Sequence, residues 1–284
     1  KVAYLAPLSP SYLQVLTPYT APQDVQPYPV SADSAATLAP DTACLVVQHP
    51  NFFGYLEDMA GLAQTAHDAG ALLVVSTDPT ALGMFTPPGS YGADIVTAEG
   101  QPLGIPVSFG GPYVGLFTCK TEYLRQMPGR IAGKTVDNQA RTAYVLTLQT
   151  REQHIRRERA TSNICTSEAL VGLMATVYMA TLGKQGLRQV AELCYQKAHY
   201  AASLIEKIPG YSLPIQGTFF QEFVVQCSVE PSEVNRRLLQ EGMIGGLDVS
   251  DRIPNGLLLC VTEMNTRQEI DVLAEALARI NQSR

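Results

Sequence analysis

Residues 71–102 read "ALLVVSTDPTALGMFTPPGSYGADIVTAEGQP", and the alternation of apolar and polar residues here decides the fold. "ALLVVSTD" is a short apolar run closed by a polar turn, and "ADIVTAE" is another. Runs of this length, flanked by turn residues, read as strands buried on both faces. Working upstream, "YLEDMAGLAQTAHDAG" places Leu56, Met59, Ala63 and Ala66 on one helical stripe and stops at Gly70. Before it, "ACLVVQHP" is a buried strand and "KVAYLA" a short one. Between those two, "SYLQVLTPY" is helical with a Pro-broken end. "DVQPYPV" is an extended edge segment, because proline donates nothing to a central ladder. Downstream, "VGLFTC" is a further strand. Strands alternating with amphipathic helices predict a mostly parallel sheet with helices on both faces.

The next segments change character. "MPGRIAGKTVDNQAR", residues 127–141, is Gly-rich and polar and reads as a surface loop before the strand "TAYVLTLQ". The chain then turns highly charged, "REQHIRRERA", and passes into "EALVGLMATVYMATL". That is an apolar helix with Thr166 or Ser167 as N-cap and Gly183 as stop. A second long helix, "GLRQVAELCYQKAHYAASLIEKI", ends before a Pro-Gly pair. Beyond it come the strand "FFQEFVVQC", the helix "PSEVNRRLLQEG", the strand "GLLLCVTE" and a capped terminal helix, "TRQEIDVLAEALARI". The expected organisation is a partial large α/β domain over 1–165, connecting long helices over 166–209, and a small C-terminal α+β domain over 210–284.

Composition narrows the function classes. The 284 residues are 46% hydrophobic and 16% charged with a net charge of −6, which points to a large core and away from nucleic acid or an anionic membrane surface. No apolar run approaches the roughly 20 residues a membrane helix needs, and no signal-peptide pattern is visible. Six cysteines stand singly, at 44, 119, 165, 194, 227 and 260, without a metal-ligand spacing. They read as reduced thiols in a cytoplasmic compartment, with no metal bound. The chain opens "KVAYLAPLSP" without a methionine and almost directly on a strand, which predicts a fragment or a processed product.

Four features are candidates for chemistry. Asp78 ends the strand "ALLVVSTD", at the edge where open α/β sheets bind ligands; it also suits a turn before Pro79. Gln101 follows 23 residues later in "GQP" and is also an acceptable loop residue. Gly110 and Gly111, in "FGGPYVG", either let backbone amides approach a ligand or another chain, or simply make a tight turn. Arg151, Arg156, Arg157 and Arg159 concentrate charge in a sparsely charged chain. They form either a solvated helix face, with Glu152 pairing Arg156 at i,i+4, or an interface for an acidic partner.

The layout and longer motifs add a resemblance. A large α/β unit followed by a small α+β unit is similar to fold-type I pyridoxal-phosphate-dependent transferases. "QHPNFFG", "DIVTAEGQPLGIPVSFGGPYVG", "MPGRIAGKTVD", "LTLQTREQHIRRERATSNICT" and "VTEMNT" together resemble the P-protein of the glycine cleavage system, glycine dehydrogenase (decarboxylating). The pattern is that of subunit 1, from organisms where P-protein is split into two chains. The resemblance implies that Asp78 holds the place of the carboxylate on the cofactor's pyridinium nitrogen, with Gly110 and Gly111 as vestigial cofactor-loop residues. It implies that Gln101 stands where the Schiff-base lysine would be. An amide nitrogen is not nucleophilic, so no catalytic residue is expected in this chain. Pyridoxal phosphate and the lysine would belong to subunit 2, and lipoylated H-protein would accept the aminomethyl group after glycine is decarboxylated. The family's first subunit also carries a further N-terminal stretch ahead of the match to "KVAYLAP". Two rivals stay open: an independent pyridoxal-phosphate enzyme such as an aminotransferase, using Lys120 or Lys134, and a binding-only relic.

Overall fold

The computed structural model describes residues 1–284 except 33–36, 149–152, 161, 165–166 and 283–284. The first strands and helices are β1 (Val2–Leu5), α1 (Pro10–Thr20), β2 (Pro27–Val30), β3 (Cys44–His49), α2 (Met59–Asp68), β4 (Leu72–Thr77), β5 (Ile95–Glu99) and β6 (Gly115–Cys119). They build one six-stranded sheet in the order β2-β1-β3-β4-β5-β6. All neighbours are parallel except β6, which runs antiparallel to β5 and pairs Ile95 with Cys119. Proline-containing β2 takes the outer edge, as its missing donors require. Leu45, Val47, Leu73 and Val75 are completely buried and pack with Met59, Leu62, Ala63 and Ala66 of α2. Leu56 lies ahead of that helix, and Leu62 supplies the fourth residue of the stripe. Asp58 caps α2 by accepting from the Gly61 N–H at 3.1 Å. Helix α1 buries no residue and leaves Tyr12, Val15 and Tyr19 on an exposed stripe, so its packing is lighter than the expected helix layer.

The polar segment after β6 is not a loop. Ile131–Val136 forms β7, which pairs antiparallel along its length with β8 (Thr142–Thr147). The turn is made by Asp137, whose carboxylate accepts from the Gln139 N–H at 2.8 Å, the Arg141 N–H at 3.0 Å and Arg141 Nε at 2.8 Å. Strand β8 is the expected strand "TAYVLTLQ", whereas β7, with little burial on either face, carries no apolar alternation and reads as loop. Lys134 therefore lies on a strand.

A short helix α3 (Gln153–Arg156) precedes the long α4 (Ala169–Ile205). The residue at the α4 N-cap is Glu168, without a side-chain cap bond. The expected cap Ser167 only offers its carbonyl to the Ala169 N–H at 2.8 Å, and Thr166 lies outside the described residues. Gly183 interrupts α4 with φ +60° and ψ −174°, so the predicted stop appears as a break within one run. The first part packs Val171 and Ala175 on Leu103 and Ile105. The second part packs Ala198, Ala201, Ala202 and Ile205 against the C-terminal unit.

That unit contains β9 (Glu222–Gln226), α5 (Pro231–Gln240), β10 (Leu247–Asp248), β11 (Gly256–Cys260) and α6 (Arg267–Gln282), with an antiparallel sheet in the order β10-β11-β9. The terminal helix is capped as expected. Thr266 N donates to Glu269 Oε2 at 2.7 Å, and Glu269 N returns a bond to Thr266 Oγ1 at 3.2 Å. The two sheets meet along residues 54–56 and 218–222. Phe220 N donates to the Gly54 carbonyl and Leu56 N to the Thr218 carbonyl, both at 2.9 Å. Gly54 has φ +88°, and a Cβ on it would lie 2.0 Å from the Glu222 carbonyl oxygen. Only glycine permits that approach, and the approach brings the start of β9 against the end of β4.

Candidate functional site

The C-terminal ends of β3, β4 and β5 and the start of β9 enclose a cleft of about 250 Å³. This is the edge where a parallel sheet presents ligands. Asp78 and Gln101 both line it, together with Gln48, Glu99, Gln221 and Glu222. Asp78 is partly buried. Its Oδ1 accepts from the Thr80 N–H at 2.8 Å and its Oδ2 from Gln221 Nε2 at 2.8 Å. Asp78 is thus a turn residue and a cleft residue at once. Burial pushes its carboxyl up from the ordinary value, against the Thr80 N–H that favours the charged form. Glu222, opposite, is pushed up to about 7 by burial and then by the Asp78 charge.

Gln101 is held in place. Its N–H donates to Glu99 Oε1 at 3.0 Å and its Nε2 to the Ile105 carbonyl at 2.6 Å. Behind the cleft, the buried Cys194 thiol donates to Glu263 Oε2 at 3.2 Å and accepts from the Glu263 N–H at 3.3 Å. Lys197 Nζ donates to the Glu263 carbonyl. These bonds pin the "VTEMNT" turn to α4. Burial pushes the Cys194 thiol up to about 12, so it is not a ready nucleophile.

The other sequence candidates lie elsewhere. Gly110 and Gly111, with φ +122° and +110°, stand in an exposed loop and do not line the cleft; Phe109 beside them is 97% exposed. Arg156 ends α3, and Arg157 and Arg159 follow in an exposed turn. Among the described residues, Arg159 comes within 4.0 Å of the Glu158 carboxylate. Arg151, and the Glu152 expected to pair Arg156, lie outside the described residues. Lys120 gives its ammonium to Asp94 Oδ1 at 2.5 Å. Asp94 stands at the start of β5, the end of that strand remote from the cleft. Lys134 lies on β7, also outside the cleft lining.

The sequence reading missed Gln48, Glu99, Gln221 and Glu222. For Glu222 a signal existed: it is the one charged residue in the run "FFQEFVVQC". The assembled cleft is rich in acceptors, and among the described residues no Lys, Arg or His lines it. Its chemistry suits a hydrogen-bond donor and disfavours an anion. No cluster of three metal-ligating side chains occurs among the described residues, and none of their helices is long and apolar enough to cross a membrane.

Known proteins resemble the chain in sequence and in fold. The chain is 51% identical over 98% of its length to a protein of Thermomicrobium roseum named probable glycine dehydrogenase (decarboxylating) subunit 1, and it spans 64% of that protein. It superposes with a TM-score of 0.92 and 37% identity on an inhibitor-bound crystal structure of glycine decarboxylase (P-protein) of the glycine cleavage system. That match covers 98% of this chain and 65% of the other. The chain thus spans just under two thirds of the relatives it matches. A C-DES mutant with glycine covalently linked to its PLP cofactor superposes with a TM-score of 0.68 at 14% identity, covering 98% of this chain and 74% of that one, a likeness of fold alone. These matches fix the architecture as fold-type I, α/β with a mostly parallel sheet. The family model described as glycine cleavage system P-protein matches residues 4–277, and the chain belongs to that family.

Proposed function

We propose that this chain is the non-catalytic subunit of a two-chain glycine decarboxylase and works in the cytoplasm. Its partner, glycine dehydrogenase subunit 2, carries pyridoxal phosphate and the Schiff-base lysine. Together they decarboxylate glycine and pass the aminomethyl group to lipoylated H-protein. The observation that carries this reading is Gln101. It occupies the strand-end cleft beside Asp78, its amide is tied to the Ile105 carbonyl, and no lysine lines the space. An amide cannot form an imine. A phosphorylated cofactor would also meet Asp78, Glu99 and Glu222 there without a compensating cation among the described residues. The residues of the cleft do not fit pyridoxal phosphate. Lys120, engaged by Asp94, and Lys134, on an outlying strand, leave the stand-alone enzyme without support.

Assembly has support of its own. Along the first part of α4, Leu170, Leu173 and Val177 are 73%, 57% and 56% exposed, on the helix face away from Leu103 and Ile105. An apolar stripe of this kind is a surface for a protein partner. The experiment is glycine–bicarbonate exchange with lipoylated H-protein, measured on the isolated chain and on its mixture with subunit 2. The mixture is expected to be active. The chain alone is expected to be inactive and to keep no borohydride-fixed pyridoxyl group on any lysine. Exchange by the chain alone overturns the proposal.

A further inference from the structure

Beside the carboxylate cleft lies a second, larger cavity of about 740 Å³, which shares Pro79 and Pro102 with it. Its lining is opposite in character. Leu103 and Tyr178, Leu82 and Met84, and Leu187 and Val190 of α4 surround it. Two glycines draw these elements together. A Cβ on Gly83 would sit 2.6 Å from the Leu187 carbonyl, and one on Gly104, at φ +81°, would sit 2.6 Å from the Tyr178 ring. The break at Gly183 falls within the α4 wall of the cavity, between Tyr178 and Met179 on one side and Lys184, Leu187 and Val190 on the other.

Charge marks one edge of this space. Arg188 Nε lies 2.7 Å from Glu192 Oε1, so that pair is internally neutral. Lys184 also lines the cavity, is exposed, and has no ion-pair partner among the described residues. One unmatched cation therefore stands beside an apolar hollow, in a chain of net charge −6. The volume is in the range of small-molecule sites, which combine apolar walls with a few placed polar groups. Met84 and Met179 at the rim add adaptable apolar contact.

We propose that this cavity binds a small amphipathic anion, an apolar chain or ring ending in a carboxylate or sulfonate, with Lys184 meeting the acid group and Leu187, Val190 and Leu103 enclosing the body. The site is independent of the assembly proposed above.

The test is a fluorescence titration of the full chain with 8-anilinonaphthalene-1-sulfonate, followed by displacement with decanoate and, separately, with decylamine. Saturable binding displaced by decanoate and not by decylamine is expected. Lys184→Glu should weaken both anions by about ten-fold, the effect of reversing one charge at the contact. Met179→Trp should block the cavity and abolish binding. Should that variant fail to fold by circular dichroism, Lys184→Glu, at an exposed position, decides alone. Leu173→Ser, on the exposed stripe of α4, should leave binding unchanged. Equal displacement by decylamine, unchanged affinity in Lys184→Glu, or loss of the signal in Leu173→Ser would overturn the proposal.

Discussion

Glu222 is a cleft residue whose protonation depends on its surroundings. It enters the cleft from the first position of β9 and faces Asp78, with no cation lining the space among the described residues. Burial and that neighbour push its carboxyl up to about 7. The unfolded chain releases this proton near the ordinary glutamate value, so the folded state holds it over a higher range. The group's stabilisation is complete below the ordinary value and is lost as pH rises through about 7. At about pH 8 the folded chain therefore gives up on the order of 2–3 kcal/mol. Glu222→Gln keeps the shape without the charge. It should gain roughly that stability at about pH 8 and be neutral near pH 4, as read from urea unfolding at the two values. No gain at the higher pH would mean that the carboxylate is solvated or paired. Asp78 and Gln101 were legible in the sequence because each follows an apolar strand, and strand ends of a parallel sheet converge on one edge. Glu222 stood out only as a charge in an apolar run, and its place in the cleft was not legible, because it arrives through a contact such as Gln221 to Asp78 that spans 143 residues of chain.

At the scale of elements, glycines set which segments touch. Gly54 and Gly70 both have positive φ, +88° and +70°. At Gly70 the space is open, whereas at Gly54 a Cβ would strike the Glu222 backbone. Gly70→Ala should cost about 1 kcal/mol from backbone conformation alone. Gly54→Ala should cost more than 3 kcal/mol, because the contact between β9 and the 54–56 segment has to move. Thermal unfolding of the two variants separates the effects, and equal losses would show that the close approach at Gly54 relaxes freely. Strands β3, β4 and β5 and helices α2, α5 and α6 are legible because each buries a face and writes its period into the sequence. Strand β8 is legible as "TAYVLTLQ", but its partner β7 is not, since Lys134 and Thr135 face solvent and the Asp137 turn fixes the pairing. The α4 N-terminus was misplaced for a related reason: Glu168 precedes the first turn without a side-chain cap to mark it.

At the scale of the molecule, unsatisfied surface is the informative property. The apolar stripe of α4, exposed Phe109 and the arginine turn at 156–159 lie outside the cores. If the proposed partner covers the arginine turn, Arg156→Ala together with Arg157→Ala should weaken the complex with subunit 2 by about ten-fold, and more at low salt than at high. Light scattering on mixtures reads this directly, and an unchanged complex would leave those arginines as solvated charge. The sequence by itself determined the class of fold, the order of the sheet-forming segments, the family, and the amide in place of an amine at position 101, because each is a local choice of residue or a periodicity imposed by burial. Only the tertiary structure decided that Asp78, Gln101 and Glu222 share one acceptor-rich cleft, that Gly110 and Gly111 stand away from it, and that an apolar cavity edged by Lys184 lies alongside. Those facts depend on how two sheets are brought together across Gly54, and contacts between residues far apart in the chain leave no period for a sequence to display.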